Sequence, residues 1–469
     1  MTTTASARLA QVLERTDRNL DASIDRLCAF LRIPSISTDP AYDAETRKAA
    51  EWASERLSEL GFESRLVDTE GQPFVVAHHP GPGTGSTRPI LYYGHYDVQP
   101  PDPLELWRSG PFEPVVEDGP TGRRVVARGA CDDKGQVMTF IEAFRAWCEV
   151  HGGPPVPVTV MLEGEEESGS PSLDPFLAGH REALDARVCV VSDTGMWDVE
   201  TPAITTMLRG LVYEEVEFRG PSHDLHSGMY GGTLANPLNA LVECLGALHD
   251  ADGRVAIPGF FDGIEDPPAE VAASWRELPF DERAFLDSAG ATAEHGEPGR
   301  SMLERMWSRP TCDLNGIWGG YAGRGAKTVI PATAGAKLSC RLVAGQDPER
   351  IRGLLRSFIE SRLPPGIVAT FHSHGCNPAI AVAADSPEMR AAREGLAVAY
   401  GRPAAMIGTG GSIPAVGAIR RHLGIDSILA GFGLDDDRVH SPNEKFDVKC
   451  LHGGIRAHAA MLESFASTA

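Results

Sequence analysis

The chain has 469 residues, of which 42% are hydrophobic and 23% charged, a composition ordinary for a soluble globular protein and one that excludes wholesale disorder. Its length exceeds what one hydrophobic core usually supports, so two or three domains are expected. A formal charge of -22 repels phosphate backbones and anionic lipid, which removes nucleic acid and the membrane surface from the expected partners.

Residues 1–15 lack the apolar core and small-residue cleavage site of a secretory signal, and no apolar run approaches the roughly 18 residues of a membrane span. Ile24, Leu27 and Leu31 then fall at helical spacing, and a second helix is predicted from Asp43 to Leu60, stopping at Gly61. Short apolar runs at Ile90 to Tyr93, Val158 to Leu162, Val188 to Val191 and Ser427 to Ala430 read as buried strands. A helical pattern between the first two carries Phe140, Ile141, Phe144 and Trp147. This alternation predicts an α/β domain with a largely parallel sheet.

From about Gly210 the texture changes. Val212, Val216 and Phe218 alternate with charged residues, as on a sheet with one wet face. A helix with Leu238, Leu241, Val242, Leu245 and Leu248 on one side follows, then a long Pro-, Gly- and Asp-rich connection. Ala336, Leu338, Cys340 and Leu342 alternate again, Ile351, Leu354, Leu355 and Phe358 mark another helix, and a strand is predicted near Ile367 to Phe371. The expected division is a larger α/β domain in two parts, residues 1–209 and 380–469, around an inserted α+β domain, residues 210–379. The nine cysteines are scattered and contain no C-x-x-C pair; they read as reduced, mostly buried thiols, which suits a cytoplasmic protein. Cys131 reads as a small hydrophobe.

The polar residues fall where chemistry is done in such folds. His95 and Asp97, Glu166 and Glu167, and Asp193 each lie just past the carboxyl end of a predicted strand, the side on which an open α/β sheet forms its ligand crevice. Asp132 and Asp133 precede a helix starting near Lys134, and His440 lies in the loop after the last strand. Taken singly, each has a plainer reading. An H-x-D is a weak pattern, Glu165 to Glu167 reads as a solvated loop, Asp132 and Asp133 as a helix cap, His440 as a loop histidine. Their joint placement suits two divalent cations, because imidazole and carboxylate satisfy zinc or manganese. Asp132, Glu167 and Asp193 supply three negative charges, so two divalent ions leave one positive charge that a bridging hydroxide neutralises.

The stretches Gly94-His-Tyr-Asp-Val-Gln-Pro100, Arg128-Gly-Ala-Cys-Asp-Asp-Lys-Gly135, Glu163-Gly-Glu-Glu-Glu-Ser-Gly169, Ser192-Asp-Thr194, Asp224-Leu-His-Ser-Gly228 and His440-Ser-Pro-Asn-Glu-Lys445 resemble, in this order, the di-metal peptidase and deacylase family. That family includes carnosinase, cytosolic non-specific dipeptidase, carboxypeptidase G and the acetylornithine and succinyl-diaminopimelate deacylases. The resemblance implies a phosphorylase/aminopeptidase-like catalytic domain and a ferredoxin-like lid and dimerisation domain, hence a homodimer. It makes His95 and Asp193 ligands of one metal ion, Glu167 and His440 ligands of the other, and Asp132 the bridge, with zinc the first expectation and manganese the second. Asp97 would orient His95, and Glu166 would be the general base. The bond after Asp132 would be cis. His226 would reach the partner subunit's site and stabilise the oxyanion, and Arg341, Thr328, His374 and Ser412 would bind a small peptide substrate, Arg341 being suited to grip a carboxylate. Gly408-Thr409 stand where dipeptidase relatives often read Arg-Glu. The expected reaction is hydrolysis of a dipeptide amide bond. The alternatives are an N-acyl amino acid deacylase with the same metals, or an inactive relative acting as a binding protein.

Overall fold

The computed structural model describes residues 5–82, 88–411 and 413–468. Those within 1–206, 382–407 and 414–469 form one compact unit, and those within 207–381 and 408–413 form another.

The first unit is built on a mixed sheet. Seven of its nine strands run Glu63–Val67, Phe74–His79, Val158–Glu163, Ile90–His95, Val188–Val191, Ser427–Leu429 and Ala203–Leu208 in spatial order, and Ile380–Ala381 and Ala405–Thr409 pair with the last. The four from Val158–Glu163 to Ser427–Leu429 are parallel, as alternation with helices predicts. The flanks correct the expectation of a largely parallel sheet. Glu63–Val67 and Phe74–His79 form a hairpin too tightly connected to be anything but antiparallel, and Ala203–Leu208 also runs against its neighbour. Every residue of Ile90–His95, Val158–Glu163 and Val188–Val191 is buried, the mark of strands covered on both faces. Helix Lys134–His151 packs against Val448–Ala466, which packs in turn on Pro387–Tyr400. Phe140, Ile141, Phe144 and Trp147 are all fully buried, each contributing about 1.5–3 kcal/mol of transfer free energy. The predicted helices appear as Leu20–Leu31 and Asp43–Ser58; Ala7–Arg18, capped by the Ser6 hydroxyl, was not anticipated.

The second unit carries an antiparallel sheet ordered Thr311–Gly319, Thr333–Leu342, Gly210–Arg219, Val368–Asn377. Val212, Val216, Phe218, Ala336, Leu338, Cys340 and Leu342 line its inner face, under helices Pro237–Gly246 and Pro348–Glu360. Two helical stripes need correction. Val242 is 53% exposed, Cys244 taking the inward place beside Leu241 and Leu245, and Leu354 is only half-buried while Ile359 is buried. The long connection holds three short helices, Ala269–Glu277, Glu282–Ser288 and Met302–Trp307, the last opened by a capping box of Ser301 and Glu304.

Candidate metal centre and active site

Three parallel strands deliver most of the site. His95 ends the central strand Ile90–His95; the neighbour on one side leads into a short turn at Glu166–Ser168, and the neighbour on the other into Asp193. The remaining donors come from a small three-stranded sheet. Strand Lys445–Asp447 pairs with Gly122–Val126, so the residues before Lys445, including His440, meet those after Val126, including Asp132.

The result is two groups of donor atoms that share one carboxylate. His95, Asp132 and Asp193 form the first, Asp132, Glu167 and His440 the second, each with donor atoms within 4.8 Å of one another. Oδ1 of Asp132 lies 3.1 Å from His95 Nε2, and Oδ2 lies 3.0 Å from His440 Nε2. Asp193 is 4.0 Å from His95 Nε2 and Glu167 is 3.2 Å from His440 Nε2. Such spacings bracket the ~3.4 Å edge of a tetrahedron whose arms are ~2.1 Å long, the arrangement zinc-like ions take with nitrogen and oxygen donors.

Electrostatics supports the same fit. Burial, with the charges of Asp133 and Asp132 behind it, pushes the Asp193 carboxyl well above its usual range. Hydrogen bonds to Asp132 and Glu167 raise His440 to about 10. Burial would raise Asp132, but hydrogen bonds from His440 and His95 hold it low instead. The carboxylates and imidazoles are drawn together by mutual hydrogen bonds in the positions from which cations would be held. The donor set fits two divalent ions.

Asp97 is the organiser. His95 Nδ1 faces the Asp97 carbonyl at 3.1 Å and its carboxylate at 3.3 Å, leaving Nε2 to the donor group. The same carboxylate accepts from the backbone N–H groups of Glu166 and Glu167, at 3.3 and 3.0 Å, and from the Ser37 hydroxyl. One side chain therefore sets both a histidine and the glutamate turn. Asp133 does not cap the helix it precedes; its carboxylate accepts from the His95 N–H at 3.1 Å. Gly94 permits that approach, since a Cβ there would lie 2.6 Å from Val137 and 2.8 Å from Asp133. The Asp132–Asp133 bond is cis.

Glu166 belongs to neither donor group. Burial, opposed by His95 and reinforced by Glu167, Asp97 and Asp132, raises it to about 7, suited to taking and giving a proton near neutrality.

Sequence reasoning assigned no role to Glu444 or Gln99. The buried Glu444 carboxylate accepts from Arg128 Nη1 at 2.7 Å and from the N–H groups of Gly129, Cys131 and Asp132 at 2.9, 2.9 and 3.0 Å. Gln99 donates to the Glu167 carboxylate at 2.8 Å. Glu444 lay inside a quoted motif, yet nothing in its spacing marks a buried clamp.

In the second unit, His226 and Thr328 come together on a two-stranded ladder, with His226 opposite Val329 and the Thr328 carbonyl accepting from Ser227 N–H. Arg341 and His374 stand on strands of the four-stranded sheet, His374 3.2 Å from Glu215. Ser412 lies outside the described residues.

A parallel α/β core presenting two carboxylate-and-imidazole groups with a buried glutamate beside them defines a metal-dependent hydrolase. The chain belongs to the family described as Peptidase family M20/M25/M40, which matches residues 91–464. It is 29% identical to the Cys-Gly metallodipeptidase DUG1 of Saccharomyces cerevisiae over 99% of each chain, and 28% identical to the human Beta-Ala-His dipeptidase over 94% of this chain and 89% of that one. Among solved structures, the Dug1p dipeptidase of Saccharomyces cerevisiae superposes with a TM-score of 0.77 over 98% of each chain at 28% identity. The metallo-carboxypeptidase Sso-CP2 of Sulfolobus solfataricus gives 0.80 at 28% identity, over 95% of this chain and 99% of that one. The protein is a metallopeptidase.

Proposed function

We propose that the protein is a dipeptidase that cleaves the amide bond of small peptides bearing a free α-carboxylate. The observation that carries this reading is the pair of donor groups sharing Asp132 beside the raised carboxyl of Glu166. His95 and Asp193 would hold one ion and Glu167 and His440 the other, with Asp132 shared between the two groups; zinc is the first candidate, manganese the second. Ions held there would supply Lewis-acid polarisation of the scissile carbonyl and of water. Glu166 takes the proton from the attacking water and delivers it to the leaving nitrogen, which would otherwise depart as an unstable amide anion.

The second unit serves as a ferredoxin-like lid and dimerisation module. Its β-α-β-β-α-β connectivity supports that reading. His226 acts on the partner subunit's substrate: its Nδ1 accepts from Gly228 N–H at 3.0 Å, so the neutral ring carries its proton on Nε2 and can donate to the oxyanion. Arg341 grips the α-carboxylate, with Thr328, His374 and Ser412 around the substrate. No described helix is long and apolar enough to cross a membrane, and the nine thiols are free, which fits a cytoplasmic enzyme.

Glu166→Gln is expected to keep both metal ions and lose about 10²–10⁴-fold in kcat. Wild-type turnover in that variant, or full activity after exhaustive chelation, would overturn the mechanism. Assay against dipeptides, their C-terminal amides and N-acyl amino acids separates a dipeptidase from a deacylase.

A further inference from the structure

Giving Arg341 the α-carboxylate leaves a second arginine without a task. Arg341 is the register partner of Leu211, and Arg209 precedes Leu211 by two positions, so the two guanidinium groups are diagonal neighbours within reach of each other. Burial, with the positive charge of Arg341 behind it, pushes Arg209 below its usual range. Among the described residues neither forms an ion pair, and the Arg209 Nε–H is buried without a hydrogen-bond partner. Two adjacent cations without ion-pair partners, one of them eased only by the charge of Asp313, and an orphaned buried donor carry a free-energy cost that a bound anion lowers.

Space for the anion lies next to them. A cavity of about 440 Å³ within the second unit is lined by Arg209, Arg254, Arg305 and Arg309 and by Thr311, the register partner of Arg341. Three carboxylates also line it: Glu294 is paired by Arg305 and Glu297 by Arg309, while Asp313 accepts from the Thr311 hydroxyl and keeps its charge facing Arg209. Arg305 Nε is a second buried donor without a partner. Gly410 makes room for this arrangement, since a Cβ there would lie 2.7 Å from Arg209 Nη2.

We propose that Arg209 and the adjoining cavity bind a second carboxylate of the substrate, so that dipeptides ending in aspartate or glutamate are the preferred class. This rests on the reading of Arg341 as the α-carboxylate grip. The test compares Ala-Glu with its neutral isostere Ala-Gln on the metal-loaded protein. Wild type should favour Ala-Glu at least about tenfold in kcat/KM, chiefly through KM; Arg209→Gln should bring the ratio near one, and Arg209→Lys should retain part of it. Calorimetric titration with free glutamate and glutamine should show the same preference and the same loss. Arg305→Gln, which removes the other orphaned donor, should reduce both ratios and serves if Arg209→Gln does not fold. A wild-type ratio near one, or an unchanged ratio in Arg209→Gln, overturns the subsite. If no dipeptide is hydrolysed, the proposed function falls, while tighter binding of glutamate that depends on Arg209 still upholds the subsite and equal binding overturns it.

Discussion

Four donors converging on one buried carboxylate make Glu444 the clamp of the Asp132 loop. A neutral amide in its place would turn an N–H group toward backbone N–H groups and leave donors unpaired, each at a cost of about 1–3 kcal/mol. Glu444→Gln is therefore expected to loosen Asp132 and weaken metal binding by about 10–100-fold, the scale seen when the supports of metal ligands are removed. Titration against a chromophoric chelator measures this directly. Recovery of activity at high metal concentration would mark positioning; unchanged affinity would count against the clamp. Glu166 and Glu167, adjacent in sequence, should part company in the same titration, because only Glu167 is a donor.

Among the elements, helix Val448–Ala466 carries a titratable group into the core. His458 is fully buried, its Nε2 2.9 Å from the Ser192 hydroxyl and its ring among Tyr92, Phe140 and Phe432, and burial lowers it to about 3. As pH falls through about 6.5 the unfolded chain takes up a proton that the folded chain refuses, so stability is lost below that pH and continues to be lost until about 3. The slope contributed is about 1.4 kcal/mol per pH unit. Urea denaturation of wild type and His458→Gln should converge as pH falls from 7 to 5; parallel curves would sink the assignment. The strands that hold the site were legible because fully buried parallel strands write themselves as continuous apolar runs, and the donors follow where those runs end. Much else was not. Glu63–Val67 alternates exposed and half-buried positions at a sheet edge, so no apolar run announces it. The clamp of Glu444 and the double role of Asp97 are properties of approach between distant segments, which no local pattern records. Val242 fell on the predicted apolar face because a stripe counted by residue type ignores which neighbour covers it.

For the whole molecule, the informative surface is the outer edge of the second unit's sheet. Strand Thr311–Gly319 ends the sheet, and Leu314, Ile317 and Trp318 on it are 49%, 54% and 38% exposed. A nine-residue edge with apolar side chains invites pairing with another chain, and the proposed symmetric dimer would provide it. Ile317→Lys should shift the protein from dimer to monomer in sedimentation and depress turnover, since His226 would lose its partner; an intact dimer would place the interface elsewhere. The pairing of Lys445–Asp447 with Gly122–Val126 has a kinetic meaning as well. Asp132 and Glu444 are 312 positions apart, so the centre assembles only after a very large loop has closed. The hairpin Glu63–Val67 with Phe74–His79 can form from local sequence, whereas the second donor group requires that long-range closure, and ions that bound only the closed arrangement would hold the chain there by mass action. Catalytic competence in this protein is then also a report that synthesis and folding have run to completion.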